Sequence, residues 1–286
     1  MATLREVKKR IRSAQNIKQI TKAMKMVAAA KLRKSQDRIF SARPYAEKIN
    51  EVIAELSHGA DGEKFPLVRE NAGVEKEGVI LVSADKGLCG SYNTNLVKET
   101  MSIIKEKKDL AMYYIGKKGM DLLKKFGRET EAFKFNDKSI GWGDVEEIGS
   151  SVIDSYVKGK FGKVNIIYSM FQSSLQQKIV KKQLLPVSLE GIRGEEAGPA
   201  RDFIYEPGAE AVLNNLLTRY VKISIYRAVL EAQASEHGVR MVAMEMATNN
   251  ANDMINDLTL LANKTRQTVI TTELNEIVGG AEAIKG

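Results

Sequence analysis

The longest uninterrupted pattern in the sequence is GAEAVLNNLLTRYVKISIYRAVLEAQASEHGVRMVAMEMATNNANDMINDLTLLANKTRQTVITTELNEIVGGAEAI, residues 208–284. It contains no proline and, between Gly208 and Gly279, a single glycine, Gly238. Because proline and glycine end or weaken helices, their scarcity predicts one α-helix about 110 Å long, at about 1.5 Å per residue. One globular core cannot cover a helix of this length, so the helix needs a partner helix.

The partner helix is predicted at the other end of the sequence, where a second coiled-coil pattern lies. In both stretches mostly apolar residues recur at alternating intervals of three and four, as in a coiled-coil seam. Thr3 and Glu6 form a capping box at the start of the first helix, and Pro44 lies inside it and predicts a bend. The seam positions are Leu4, Val7, Ile11, Ala14, Ile17, Ile20, Met24 and Val27, and then Leu213, Leu216, Tyr220, Ile223, Arg227, Leu230, Ala234, His237, Met241, Met244, Thr248, Ala251, Ile255, Leu258, Ala262, Thr265 and Val269.

These patterns predict an antiparallel helix pair in which the C-terminal helix is longer by about twenty residues and projects beyond its partner.

The pattern between residues 77 and 186 changes to short apolar runs that alternate with helical ones. The predicted strands are Gly78–Ser83, Leu110–Ile115, Glu131–Phe135, Val164–Ser169 and, antiparallel at an edge, Lys178–Leu185. The predicted helices are Thr94–Lys107, Lys117–Phe126 and Val145–Lys158. This alternation predicts a mostly parallel, Rossmann-like α/β domain.

The predicted fold class is therefore α/β plus a long antiparallel coiled coil. Residues 1–58 and 208–286 form the coiled-coil shaft, residues 77–186 form the α/β domain, and residues 59–76 and 187–207 are linkers.

Charge is concentrated at the N-terminus. Residues 1–50 hold fourteen Lys and Arg residues against three acidic ones, whereas the whole chain has a net charge of +8. Such a basic helix suits nucleic acid, an anionic membrane surface or an acidic protein surface. The alternative for most of its lysines is an ordinary solvated face of the coiled coil. The stretch has few aromatic residues and no DNA-docking motif, which weakens the nucleic-acid alternative.

The remaining signals for chemistry are weak. The loop Asp85–Ser91 follows the first predicted strand and precedes a helix, where α/β proteins bind phosphates, but it lacks both the P-loop and the dinucleotide glycine spacing. A tight structural turn is the favoured interpretation, and an enzyme with its site in this loop is the alternative. Cys89 is the single cysteine, which excludes a disulfide, and no histidine is placed to activate it. We therefore predict no catalytic, cofactor-binding or metal-binding residues.

Four segments resemble the γ subunit of rotary F-type ATP synthases. They are ITKAMKMV (residues 20–27), SADKGLCG (83–90), RMVAM with ATN (240–244 and 247–249), and TRQ with ELNEIV (265–267 and 273–278). The resemblance covers the whole chain in the same order and spacing. It implies a central-stalk rotor that is not itself catalytic and that transmits torque between a membrane ion-translocating ring and the nucleotide sites of an α3β3 head.

The resemblance also implies roles for individual residues. Met24 and Lys25 lie where the shaft faces acidic loops of the catalytic β subunits, and Arg266 and Gln267 lie where the C-terminal helix meets an upper loop of those subunits. The foot near the membrane ring contains Arg43, Tyr45, Tyr205 and Glu206. The last turns are small and apolar and are predicted to form a bearing tip, with Val278, Ala281 and Ile284.

The implied partners are the α and β subunits, the ε subunit and the membrane c-ring, with one copy of this chain per complex, no homo-oligomer and no nucleic acid. Neither a transit peptide nor the plastid-type insertion is recognisable in the sequence. The expected location is therefore peripheral, on the cytoplasmic face of a bacterial cell membrane.

Overall fold

The computed structural model describes residues 3–57, 61–107, 109–126, 129–133, 140–193, 205–206 and 208–285. Its helices are α1 (Leu4–Leu56), α2 (Tyr92–Glu106), α3 (Lys117–Leu123), α4 (Trp142–Val157), α5 (Leu189–Arg193) and α6 (Ala209–Lys285). Its strands are β1 (Glu77–Val82), β2 (Leu110–Ile115), β3 (Glu129–Phe133), β4 (Lys163–Phe171) and β5 (Gln177–Leu185). Short 3₁₀ helices lie at Gly62–Lys64 and Lys124–Phe126.

The predicted fold class is confirmed: two long terminal helices enclose an α/β segment in the sequence. The 53 residues of α1 continue through Pro44, and α6 has 77 residues. The third strand begins two residues earlier than predicted, at Glu129, and the predicted residues 134–135 lie outside the described part of the chain.

The chain divides into two compact units, and α1 and α6 contribute to both. The first, here called the helical-pair unit, contains residues 1–28 and 241–286. The second, here called the sheet unit, contains residues 29–240. The division of the chain into shaft, domain and linkers made from the sequence stays a prediction.

The sheet unit is built on a five-stranded sheet with strand order β3-β2-β1-β4-β5. The first four strands are parallel, and β5 pairs antiparallel with β4 at the edge, as predicted. All six residues of β1 and of β2 are buried, because helices cover both faces of this part of the sheet.

Two apolar clusters flank the sheet. One packs α2 and α3 against β1 and β2 through residues such as Leu81, Leu96 and Met112. The other joins α4, the C-terminal half of α1 and the N-terminal half of α6 to the opposite face. In this unit α6 therefore has buried side chains on several of its sides. They include Val221, Ile225, Val229, Leu230, Ala232 and Ala234.

A tight turn between β2 and α3 fixes the end of β1. Gly116 has φ +100°, and a Cβ atom at this position would lie 2.1 Å from the carbonyl oxygen of Ser83. The hydroxyl of Ser83 accepts a hydrogen bond from the backbone N–H of Gly119 at 2.9 Å. Only glycine permits this approach of two backbones, so the residue after β1 is held at the start of α3.

In the helical-pair unit α1 and α6 lie antiparallel. The predicted capping box is confirmed: Thr3 N–H donates to Glu6 Oε2 at 3.0 Å, and Glu6 N–H donates to Thr3 Oγ1 at 3.3 Å. Residue numbers of the cross-helix partners rise on one helix as they fall on the other. These contacts are Lys18 Nζ to Asn252 Oδ1 (2.7 Å), Thr248 Oγ1 to Thr21 Oγ1 (2.8 Å) and Lys25 Nζ to Glu245 Oε1 (2.6 Å).

The seam predicted on α1 is wrong by one residue at Ile17, Ile20 and Val27, whereas the predicted seam residue Met24 is half-buried. Ile17, Ile20 and Val27 are 51%, 58% and 57% exposed. The reason is that Lys18 and Lys25 occupy seam positions, where their aliphatic stems cover apolar surface while their ammonium groups bond polar atoms of α6. The buried or half-buried seam positions are Leu4, Val7, Ile11, Ala14, Lys18, Thr21, Met24, Lys25 and Ala28.

The seam predicted on α6 is confirmed in this unit up to Thr265, and it is wrong at Val269. Every predicted position from Met241 to Thr265 is buried or half-buried. Beyond Thr265 the described side chains of α6 are exposed, including Val269 at 41%. This end of α6 therefore projects from the pair without a covering helix among the residues of its unit that the structure describes.

Candidate partner interface

Met24 and Lys25 lie on the flank of the helical pair. Both are half-buried, and the ammonium of Lys25 forms an ion pair with Glu245 on α6. The two side chains of that pair are 37% and 48% exposed, so water screens their attraction. Lys25 therefore joins the two helices of its own chain, while part of its side chain stays available to a partner.

Arg266 and Gln267 are both exposed and directly follow Thr265, the last covered position of the seam. Their side chains project from the segment of α6 that no other described residue of the helical-pair unit covers. This placement gives the Arg266 guanidinium, with its five N–H donors in a rigid fork, the freedom to bind a carboxylate of another protein.

The last turns of α6 carry exposed apolar side chains. Val278 is 57% exposed and Ala281 is exposed as well. Leu274 and Ile277, at 56% and 67%, extend the apolar surface towards Arg266. The backbone of Ile284 belongs to α6, but its side chain lies outside the described residues.

The predicted foot residues lie in the sheet unit. Tyr45 is 49% exposed, and its hydroxyl accepts a hydrogen bond from Arg219 Nη1 of α6 at 3.3 Å. The guanidinium of Arg43 lies 5.5 Å from the centre of the Phe40 ring, in a cation–π contact. Tyr205 is half-buried and Glu206 is exposed, shortly before α6 begins.

The loop Asp85–Ser91 is held against α6 by an arginine that the sequence interpretation did not single out. Arg240 Nη2 donates to the carbonyl oxygens of Gly87 (3.2 Å) and Lys86 (3.4 Å), and Arg240 Nε donates to Gly87 at 3.4 Å. Arg240 Nη1 also bonds Glu236 Oε1 at 2.7 Å. The available sequence signal was the spacing of four residues between Glu236 and Arg240, which places them on one face of a helix.

Burial sets the protonation of the groups around this loop. It raises the pKa of the Glu236 carboxyl, an effect that the charge of Arg240 partly offsets. It lowers the pKa of His237 to about 4, and the nearby charges of Arg240 and Lys31 act in the same direction. His237 is therefore neutral at pH 7.

The cysteine in the loop has no features of a nucleophile. Cys89 is 2% exposed, and its sulfur accepts a hydrogen bond from Asn93 Nδ2 at 3.3 Å. Burial raises the pKa of the thiol, so it stays protonated at neutral pH. The loop thus agrees with the structural turn that its glycine spacing favoured.

The described part of the chain also lacks the features of two other classes of protein. No group of three or more histidine, cysteine, aspartate or glutamate side chains in it is placed to hold a metal ion. Among the same residues, no helix combines the length and the apolar character that crossing a bilayer requires.

Comparison with known proteins places the whole chain in one family. A family model described as ATP synthase matches residues 3–284. The ATP synthase gamma chain of Heliobacterium modesticaldum is 43% identical, over 99% of this chain and all of that protein. The ATP synthase gamma chain of Moorella thermoacetica is 44% identical over the full length of both.

Solved structures give the same result for the fold. The central stalk and c-ring structure of the Tetrahymena thermophila mitochondrial ATP synthase contains a chain with a TM-score of 0.61 and 25% identity, covering 80% of this chain and 99% of that one. A chain of the Euglena gracilis mitochondrial ATP synthase reaches a TM-score of 0.68 at 21% identity, over 98% and 94% of the two chains.

Gamma chains are structural, non-catalytic subunits of their complex. The family match from residue 3 to residue 284, together with full-length identity above 40%, leads to one conclusion: this chain belongs to the ATP synthase gamma chain family and is a central-stalk subunit.

Proposed function

We propose that this central-stalk chain is a rotor, which transmits torque between a membrane ion-translocating ring and the nucleotide sites of an α3β3 head. The observation that carries the proposal is the projecting end of α6. Between residues 266 and 281 its described side chains are exposed, and several of them are large and apolar. A surface of this kind on a soluble helix supports contact with a partner that covers it.

The outer surface of the paired helices supports the same proposal. Because the seam on α1 uses Lys18 and Lys25, the large residues Ile17, Ile20 and Val27 are left on the outside of the pair. On α6 Met246 and Met254 are 62% and 55% exposed. Apolar side chains on the outside of both helices are what an enclosing head would contact.

Coupling to nucleotide sites follows from differential contact. A partner shifts a conformational equilibrium only by interacting differently with the alternative states. The two helices differ in length and charge, so the surface they offer differs from side to side. Each of three subunits around the helical pair would contact a different side of it, with a different interaction energy. Rotation would bring each side to each subunit in turn.

The side chains along α6 suggest a division of labour, in which one segment acts as a bearing and another forms contacts that depend on the rotation angle. The last turns contain small and apolar residues, including Gly279, Gly280 and Ala281, which form few directional bonds and suit a smooth bearing. Arg266 and Gln267 are polar and exposed, so they can form angle-dependent bonds with β subunits. Met24 and Lys25 would meet acidic loops of the same subunits. In a partly desolvated interface each charged contact is worth on the order of a few kcal/mol.

The experiment assembles this chain with ATP synthase α and β subunits and measures ATP hydrolysis. We expect removal of residues 278–286 to leave substantial coupled turnover. We expect Arg266→Ala to lower either assembly or hydrolysis about tenfold, since a charged interface contact is lost. Lys264→Ala is the matched control, because it removes an exposed cation of the same segment, and it should have little effect.

The division of labour is wrong if truncation abolishes turnover while Arg266→Ala behaves like Lys264→Ala. The rotor proposal itself is wrong if the chain does not assemble with α and β subunits at all.

The remaining contacts belong to the other end of the stalk. Arg43, Tyr45, Tyr205 and Glu206 are proposed to lie near the c-ring, and the α/β domain is proposed to dock the ε subunit. One copy of the chain per complex would then lie peripherally at the cytoplasmic face of a bacterial membrane. No observation on the described residues favours nucleic acid as a partner over the acidic loops of the head.

A further inference from the structure

A polar cleft in the sheet unit is not part of the surfaces proposed above. It lies between the C-terminal half of α1, the loop after β1 and α6, and its volume is about 260 Å³. On each of the two helices the lining residues lie three, four and seven positions after the first one, so they share one face of that helix. The lining consists of Lys31, Lys34, Ser35, Arg38, Asp85, Lys86, Gln233, Glu236, His237 and Arg240.

The charge of the lining is positive. Five of the ten side chains are cations and two are carboxylates. Both carboxylates already have partners: Asp85 Oδ1 accepts a hydrogen bond from the backbone N–H of Lys117 at 2.9 Å, and Glu236 binds Arg240 at 2.7 Å. The ten lining side chains therefore carry a formal net charge of +3.

One buried hydroxyl in the lining has no hydrogen-bond partner among the residues that the structure describes. Ser35 is 5% exposed, and it forms no hydrogen bond with any residue that the structure describes. Other hydroxyls on the long helices, such as those of Thr21 and Ser41, bond the carbonyl oxygen four residues earlier. Buried polar groups are nearly always satisfied, so the Ser35 hydroxyl can donate to or accept from a molecule that enters the cleft.

His237 adds a neutral donor. Arg240 Nη1 lies 3.4 Å from His237 Nδ1, and a guanidinium can only donate, so Nδ1 is the acceptor. The ring proton is then on Nε2. Since the pKa of His237 is lowered to about 4, the ring is neutral at pH 7.

We propose that this cleft binds a small, multiply charged oxyanion of the phosphate class, such as inorganic phosphate or pyrophosphate. Such an ion offers many acceptor oxygens and no apolar body, which matches a lining of ammonium, guanidinium, hydroxyl, amide and imidazole donors. A docked protein segment is the other occupant that a basic surface attracts. Interface cores are enriched in aromatic and apolar residues, and the lining contains none, so the small anion fits better.

The proposal stands on the cleft alone and does not depend on the rotor function. Its test uses the full-length chain in phosphate-free buffer, titrated calorimetrically with inorganic phosphate, pyrophosphate and ADP at constant ionic strength. We expect saturable binding of one anion per chain. Binding of ADP tighter than pyrophosphate would identify a nucleotide as the source of the phosphate groups, and equal or weaker binding would identify the free anion.

Three variants assign the binding to the cleft. Lys34→Ala should weaken phosphate binding about tenfold, and Ser35→Ala about fivefold without any change in net charge. Ser35→Ala should leave the unliganded chain at least as stable, because it removes an unsatisfied buried hydroxyl. Lys98→Ala, which removes an exposed lysine of α2 outside the cleft, should leave the affinity unchanged.

The proposal is overturned if phosphate does not bind, or if Lys34→Ala and Lys98→Ala weaken binding equally, which would indicate only general screening of a basic surface. It is also overturned if the anions do not bind while an acidic partner subunit protects Lys34 from chemical modification, because the occupant is then a protein segment.

Discussion

At the scale of single residues, α6 keeps a cluster of ionisable groups largely out of water beside the loop Asp85–Ser91. The side chains of Glu236 and Arg240 are 15% and 12% exposed and bind each other. The remaining donors of Arg240 are used by two loop carbonyl groups, so a charge that would be costly to bury alone is compensated. The same bonds hold Leu88, with φ +61°, in a conformation unusual for a residue with a side chain.

His237 makes this cluster sensitive to pH. Its pKa falls from 6.5 to about 4 on folding, so the unfolded chain binds the proton more tightly. The stability contributed by neutral His237 is complete above pH 6.5 and is lost as the pH falls towards 4, up to about 3 kcal/mol. The raised pKa of Glu236 acts in the opposite direction, because it favours the folded state as that carboxyl becomes protonated.

We predict that His237→Gln removes this pH dependence, because glutamine can still accept a bond from Arg240 but does not titrate. The measurement is the free energy of unfolding of both proteins by urea between pH 7 and pH 4.5, in phosphate-free buffer. The curve for the wild-type chain should fall more steeply than that for the variant. Parallel curves would mean that His237 is as easily protonated in the folded chain as in the unfolded one.

At the scale of elements, several of the most deeply buried residues between α1 and α6 in the helical-pair unit are small. Ala14 and Ala28 on α1 are 2% exposed, and Ala251 on α6 is 6% exposed. Side chains this short let two helix backbones approach, and the hydroxyl pair Thr21–Thr248 adds a hydrogen bond at the same depth. Lysines at the intermediate positions then reach the opposite helix.

This arrangement makes opposite predictions for two neighbouring positions on α1. Ala14→Leu should destabilise the pair by about 1–3 kcal/mol, because a longer side chain does not fit between the helices. Ile17→Ala should stay within about 0.5 kcal/mol, because Ile17 is exposed. Hydrogen exchange of residues 4–28 and 241–265 measures both. A larger effect of Ile17→Ala would restore the seam predicted from the apolar residues.

The same positions explain what the sequence could and could not predict. The order of strands and helices follows from the spacing of apolar residues, and so do the antiparallel edge strand and the long terminal helices. Apolar side chains recur every two residues in strands and every three to four in helices, and a small error in an element's boundary does not change this pattern. Ile17, Ile20 and Val27 were wrongly assigned to the seam of α1 because each stands one residue before a seam position, and hydrophobicity alone favours them. That a lysine can line a seam depends on Asn252 and Glu245 across it, which are more than 200 residues away.

The candidate interface was predictable to different degrees. The resemblance pointed to Arg266 as an interface residue, and composition pointed to the apolar last turns. Those of these side chains that the structure describes are exposed. The link from Arg240 to the loop after β1 was not predicted, because its acceptors are backbone carbonyls, which have no signature in the sequence.

At the scale of the whole molecule, each long helix serves both compact units. The half of α6 in the sheet unit is surrounded by core residues, and the half in the helical-pair unit is covered on one side until Thr265. We propose that the exposed end, which no other described residue of its unit covers, is the part of the chain that a head of surrounding subunits would enclose.

The most direct test of the account is hydrogen exchange at residues 266–281, compared between the isolated chain and its complex with α and β subunits. In the isolated chain we predict fast exchange, because these turns of α6 have no covering partner among the described residues of their unit. In the complex we predict exchange slower by at least about a hundredfold, since opening the helix would also break contacts with the head. Equal exchange in the two states would contradict the central claim that the projecting end of α6 is enclosed by the head.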